Sequence, residues 1–157
     1  MKPLDEGRLR RLLCEQRWAS FGTLDESRPF VSWVAYVVDE DGALLLHLSR
    51  LAKHTRNLLA DGRVSLALSE ADDGRSDPQT LARITLDGSV VLVERDSTDY
   101  QAGRECYLAR LPAAAMMFDF ADFSLFRLTP QSGYYVEGFG SSHRLTAERL
   151  RLLLATS

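Results

Sequence analysis

Residues Ser49–Leu58 read SRLAKHTRNL and follow directly on the apolar run ALLLHL. A strand that ends in serine runs at once into Arg50, Lys53, His54 and Arg56. If a helix begins there, its first turn exposes unpaired N–H groups and a partial positive charge. Lys53 and His54 would add an ammonium and an imidazole to that end, the donor set of a phosphate site. The competing reading is a solvated helix face carrying Arg50, Lys53 and Arg56. Spacing alone does not choose between the two.

Working outward, the positions Leu51, Thr55, Leu58 and Leu59 predict a short helix stopped by Asp61-Gly62. Upstream, WASFGTL, FVSWVAYVV and ALLLHLS are rich in β-branched, aromatic and aliphatic residues, with the turn clusters DESRP and DEDG between them. They predict a meander of three consecutive antiparallel strands. Downstream, RVSLALSE alternates Val64, Leu66 and Leu68 against Ser65, Ala67 and Ser69. RITLDGSVVLVER predicts a further strand with a bulge or close approach at Gly88. The polar stretch Ala71–Gln79 reads as a loop. A helix runs through Tyr100–Arg110 and ends before Pro112, and a short apolar turn, AAAMMF, follows. DFSLFRLTPQSGYYVEG predicts a last strand or pair broken at Pro130. Amphipathic helices are expected at both ends, over Leu9, Leu12, Leu13 and Gln16 and over TAERLRLLLA. The expected fold class is mostly β: a closed antiparallel β-barrel with flanking helices, formed by residues 1–157 as a single domain.

The 157 residues carry a net charge of −3 and a pI near 5.6, which argues against a nucleic-acid partner. Cys14 and Cys106 lie far apart and form no C-x-x-C pair, so a reducing, cytoplasmic setting is expected. No apolar run approaches the roughly 20 residues of a membrane helix. His47, His54 and His143 lack zinc-site spacing, and no metal site is expected. There is no G-x-G-x-x-G, Walker loop or G-x-S-x-G elbow. Trp33, Tyr36, Tyr134 and Tyr135 amount to more aromatic surface than a small barrel readily hides, either as core or as an interface. The glycines of GFGSS form a loop or an anion-binding turn.

The order of these features resembles the split-barrel flavoproteins related to pyridoxamine 5′-phosphate oxidase, and more closely their haem-utilisation (HugZ-type) branch. The resemblance rests on ASFGTLDESRPFVSWV, LHLSRLAKHTRNLLADGRVSLAL, ARITLDGSVV, LPAAAMMFDFADFSLFRL and YYVEGFGSS, and covers Trp18 to Ser142. It implies an FMN-binding oxidoreductase, with FMN across a homodimer interface. Lys53 and His54 then fall at the phosphate, and Ser49 supplies a second phosphate or ribityl donor. Val31, Ser32, Trp33 and Val34 run along the isoalloxazine ring, and Arg83 lies near it. No catalytic residue is assigned. The chain lacks the C-terminal arginine and histidine motif of true pyridoxamine-phosphate oxidases, so that reaction is not implied. The alternative is a haem-binding or haem-degrading protein, for which His143 is the late candidate ligand. The substrate stays open.

Overall fold

The computed structural model describes residues 2–155. The elements, in chain order, are α1 (Glu6–Glu15), β1 (Trp18–Asp25), β2 (Arg28–Ala35), β3 (Val37–Val38), β4 (Leu44–Ser49), α2 (Lys53–Ala60) and β5 (Arg63–Ser69). They continue with β6 (Arg83–Val93), α3 (Thr98–Arg110), β7 (Phe123–Gly138), β8 (Ser141–Thr146) and α4 (Ala147–Leu154). Short 3-10 turns occupy Pro78–Thr80 and Pro112–Asp119.

One antiparallel sheet runs β2-β1-β5-β6-β7-β4-β3, with β8 added to β7. β2 and β3 end the path and are not paired to each other, in keeping with the mostly-β split barrel with flanking helices that the resemblance implies. The three-strand meander is corrected. β1 and β2 form a hairpin, but β4 pairs with β3 and β7 and not with β2. The reason lies in ALLLHLS, which is buried along its length. Leu44, Leu46 and Leu48 point into the barrel, while Leu45 packs under α3 with Val37, Tyr100, Tyr107, Phe118 and Leu125. A strand covered on both faces shows no alternation from which a neighbour could be read.

β7 organises the rest. It pairs with β6 along most of its 16 residues, with β4 through Phe123–Leu128 and with β8 through Ser132–Gly138. The expected break at Pro130 is a bend in one strand, matched on β6 by a register shift at Asp87/Gly88. A Cβ on Gly88 would lie 2.7 Å from the Thr129 carbonyl oxygen, so only glycine allows the strands this close. Leu9, Leu12 and Leu13 of α1 and Leu150, Leu153 and Leu154 of α4 pack on the main core. No helix among the described residues is long and apolar enough to cross a membrane.

Candidate functional site

The corner at Ser49 is built from groups that satisfy one another. Ser49 Oγ donates to Asp122 Oδ2 at 2.8 Å, and Arg50 donates to Ser124 Oγ at 2.8 Å and to the Ala121 carbonyl at 2.7 Å. Arg56 donates to the Leu51 carbonyl at 2.9 Å. Lys53 Nζ sits 2.8 Å from Asp25 Oδ2 and 4.8 Å from the centroid of the Phe30 ring. His54 Nδ1 lies 3.1 Å from Ser32 Oγ, and its ring meets Phe21 edge-on. Burial lowers the His54 pKa, which favours the neutral imidazole. The cation cluster therefore ties a strand, a helix and the 121–124 segment together.

The open site lies on the outer face of the sheet. Strand alternation sends Ser20 of β1, Trp33 of β2, Ala67 and Ser69 of β5, Arg83 and Thr85 of β6, and Tyr134 and Val136 of β7 to that face. With the turn Gly138–Ser142 and the segment Asp77–Thr80 they line a groove of about 710 Å³. Trp18 stacks on Trp33 at 5.8 Å between centroids, and both indoles are more than half exposed. Phe139 stands fully exposed at the tip of its turn, between Gly138 at φ 134° and Gly140 at φ 76°.

Two ties hold the other wall. Arg83 Nη1 donates to the Gln79 carbonyl at 2.6 Å and the Leu81 carbonyl at 3.1 Å. Glu70 accepts a bidentate pair from Arg8 of α1, at 2.6 and 2.9 Å, and a backbone N–H from Ala82. The 71–79 loop thus has a fixed base, and its last residues reach the groove. Arg83 is the one cationic side chain on the groove's lining among the described residues.

The structure separates the expected site residues. Trp33 and Arg83 meet in the groove. Ser32 faces His54, Val34 is buried in the barrel, and Val31 is exposed on the same face as Trp33. Ser49, Lys53 and His54 belong to the corner. His143 is the cross-strand partner of Tyr135, whose ring is fully buried, so it shares the inner face rather than the groove. Its Nε2 lies 3.4 Å from Ser141 Oγ, which also reaches Glu137 Oε2 at 3.4 Å. No three of the described His, Cys, Asp and Glu side chains gather as a metal cluster would. Sequence reasoning missed Thr80, Val136 and the Phe139 turn as lining. The signal available was GFG, a glycine pair that frees an aromatic tip.

Residues 8–150 match the family described as CREG, beta-barrel. The chain belongs to that family. It is 38% identical over 124 residues to the chloroplastic non-canonical heme oxygenase HOZ of Arabidopsis thaliana, covering 79% of this chain and 36% of the plant protein. It is 30% identical over 142 residues to the heme oxygenase HutZ of Vibrio cholerae, covering 87% of this chain and 78% of HutZ. The solved heme binding protein of Mycobacterium smegmatis superposes with a TM-score of 0.84 at 31% identity, covering 97% of this chain and 62% of that one. The chain thus spans about a third of the plant relative and under two thirds of the mycobacterial protein. The placement in the split barrels related to pyridoxamine 5′-phosphate oxidase, on their HugZ-type side, stands. The expectation of an FMN-dependent oxidoreductase does not. The named relatives are heme proteins.

Proposed function

We propose that this chain binds haem in the outer-face groove and takes part in haem breakdown. The observation that carries this is the lining: Trp33, Val136, Tyr134 and Phe139 around a single cation, Arg83. A porphyrin is a broad apolar plate with two carboxylates, and it needs aromatic walls and few charges. The groove's volume falls within the roughly 300–1,000 Å³ of cofactor sites. Trp33, Val136 and Phe139 would pack the macrocycle. Among the described residues Nε and Nη2 of Arg83 have no protein partner, so they are available to a propionate. Bound haem supplies the redox-active iron; the protein supplies position, an apolar surround and one counter-charge.

A second copy of the chain is the natural cover for the exposed Trp18, Val31 and Trp33, which form an apolar face beside the groove. An isologous dimer would bury both faces at once and bring two grooves together. The test is a hemin titration of the purified chain followed by its Soret band, then incubation with ascorbate in air. One hemin per chain, with the Soret band lost on reduction in air, is the expected result. No hemin uptake at equimolar protein would overturn the reading. Replacing Trp33 by Glu is expected to convert a dimer to monomer in sedimentation.

A further inference from the structure

Both rims of the groove are tied to one turn of helix. Glu70, the residue before the 71–79 loop, accepts the bidentate pair from Arg8 and so fixes one rim. Glu137, the residue before the Gly138–Ser142 turn, accepts the Asp5 backbone N–H at 2.9 Å through Oε1, and its Oε2 lies 3.4 Å from Ser141 Oγ. Asp5 is the N-cap of α1, its side chain accepting the Arg8 N–H at 3.0 Å, so the first turn of α1 carries both ties. The rims also meet each other. A Cβ on Gly138 would lie 3.7 Å from the Thr80 carbonyl oxygen. A broad, rigid ligand enters at that end only when the rims part.

Behind these ties lies a group that folding leaves unmatched. Tyr135 is fully buried, and among the described residues its hydroxyl has no hydrogen-bond partner. Burial first, and the Glu137 carboxylate second, push its pKa up to about 12, with Arg8 pulling the other way. The hydroxyl therefore sits among the side chains that make the ties. A buried donor without a partner destabilises the arrangement that buries it, and opening that arrangement to water relieves the penalty. An ion pair and a backbone hydrogen bond favour the closed rims, and the phenol opposes them. Local opening is drawn from such nearly balanced regions.

We propose that the first turn of α1 is a clasp on the groove: Arg8, Glu70 and Glu137 hold the two rims together, and the unmatched Tyr135 hydroxyl biases them toward opening. Arg8, Glu70 and Glu137 are positioning residues, since none of them is on the groove's lining. The clasp itself needs no ligand; its use, admitting and retaining haem, rests on the haem reading above.

The experiment measures amide hydrogen exchange of the full chain at residues 71–82 and 138–142, in the wild type and in Arg8→Ala, Glu137→Ala and Tyr135→Phe. Arg8 bonds only to the Glu70 side, so the far rim is the telling one. Arg8→Ala is expected to speed exchange about fivefold at both rims while β4 stays protected. Glu137→Ala should do the same from the other side. Tyr135→Phe is expected to slow exchange at both rims about threefold, the reverse sign, because it removes the unmatched hydroxyl. Exchange that rises only at residues 71–82 in Arg8→Ala, or that rises in Tyr135→Phe, overturns the clasp. Hemin loss from the loaded chain to a haem-scavenging apoprotein then tests its use: faster in Arg8→Ala, slower in Tyr135→Phe. Equal rates of loss overturn the link between clasp and ligand. Failure of the wild type to take up hemin overturns the haem reading and leaves the exchange result to decide the clasp.

Discussion

The corner at residues 49–58 and the groove at residues 134–142 sit on the same sheet and make opposite use of polarity. The corner concentrates four basic side chains, and those of Arg50, Lys53, His54 and Arg56 are each matched by a carboxylate, carbonyl, hydroxyl or ring. The groove has one cation on its lining among the described residues, tied to two carbonyls through Nη1. Charge density in the sequence marks the joint, and a sparse, mostly uncharged surface marks the proposed haem groove.

The largest expected effect is on acid stability, and it lies on the corner's side of the comparison. His47, on the strand that feeds the corner, is buried against Phe118. Burial first, and Arg95 second, push its pKa down to about 4 from 6.5. The folded state therefore resists a proton that the unfolded chain accepts below pH 6.5. Stability is full above about pH 6.5, falls as pH drops toward 4, and levels off below. The total loss is on the order of 3 kcal/mol. Urea unfolding at pH 7 and pH 4.5 measures it, and His47→Phe should flatten the difference. An unchanged slope in that variant would mean that other groups control acid unfolding.

Next in size comes the groove's cation. Arg83→Ala is expected to weaken hemin binding about tenfold, near 1.4 kcal/mol. Its effect on stability should be small, since it removes two bonds to carbonyls at an open rim. Lys53→Ala should do the reverse. The loss of an exposed ion pair and a ring contact costs under about 1 kcal/mol of stability, and hemin affinity should stay at the wild-type value. If Lys53→Ala weakened hemin as much as Arg83→Ala does, the corner would have to be counted as part of the site.

Much of the corner and most of the elements were legible in the sequence. The strict alternation of RVSLALSE, the Asp61-Gly62 stop and Gly88 are local signals, and the structure follows each of them. Strand pairing was not legible. β4 is buried on both faces, and its partner β7 lies some 80 residues away, so nothing near ALLLHLS names it. The groove was harder still. It draws on β1, β2, β5, β6 and β7, the start of β8 and one loop, each contributing one to a few residues. Tyr134 and Tyr135 illustrate the limit: adjacent and alike, one reaches the groove and the other fills the core. Which is which depends on strand parity relative to the bend at Pro130 and the shift between Val136 and Gly138.

The β1–β2 turn, which borders the corner through Asp25, offers the smallest effect and a clean one. Glu26 and Ser27 occupy positive φ, at 47° and 73°, in a two-residue hairpin. That geometry belongs to Asn-Gly, because a Cβ at positive φ is crowded by backbone. Glu26→Asn with Ser27→Gly is expected to stabilise the fold by about 0.5–1 kcal/mol. The double change should leave Lys53 paired with Asp25 and hemin affinity unaltered. A rise in thermal midpoint with unchanged hemin binding would show that the corner's contribution is to the fold. A gain in stability accompanied by altered hemin binding would mean that the β1–β2 hairpin carries Trp33 into the groove by way of this turn, and that the two regions are mechanically one.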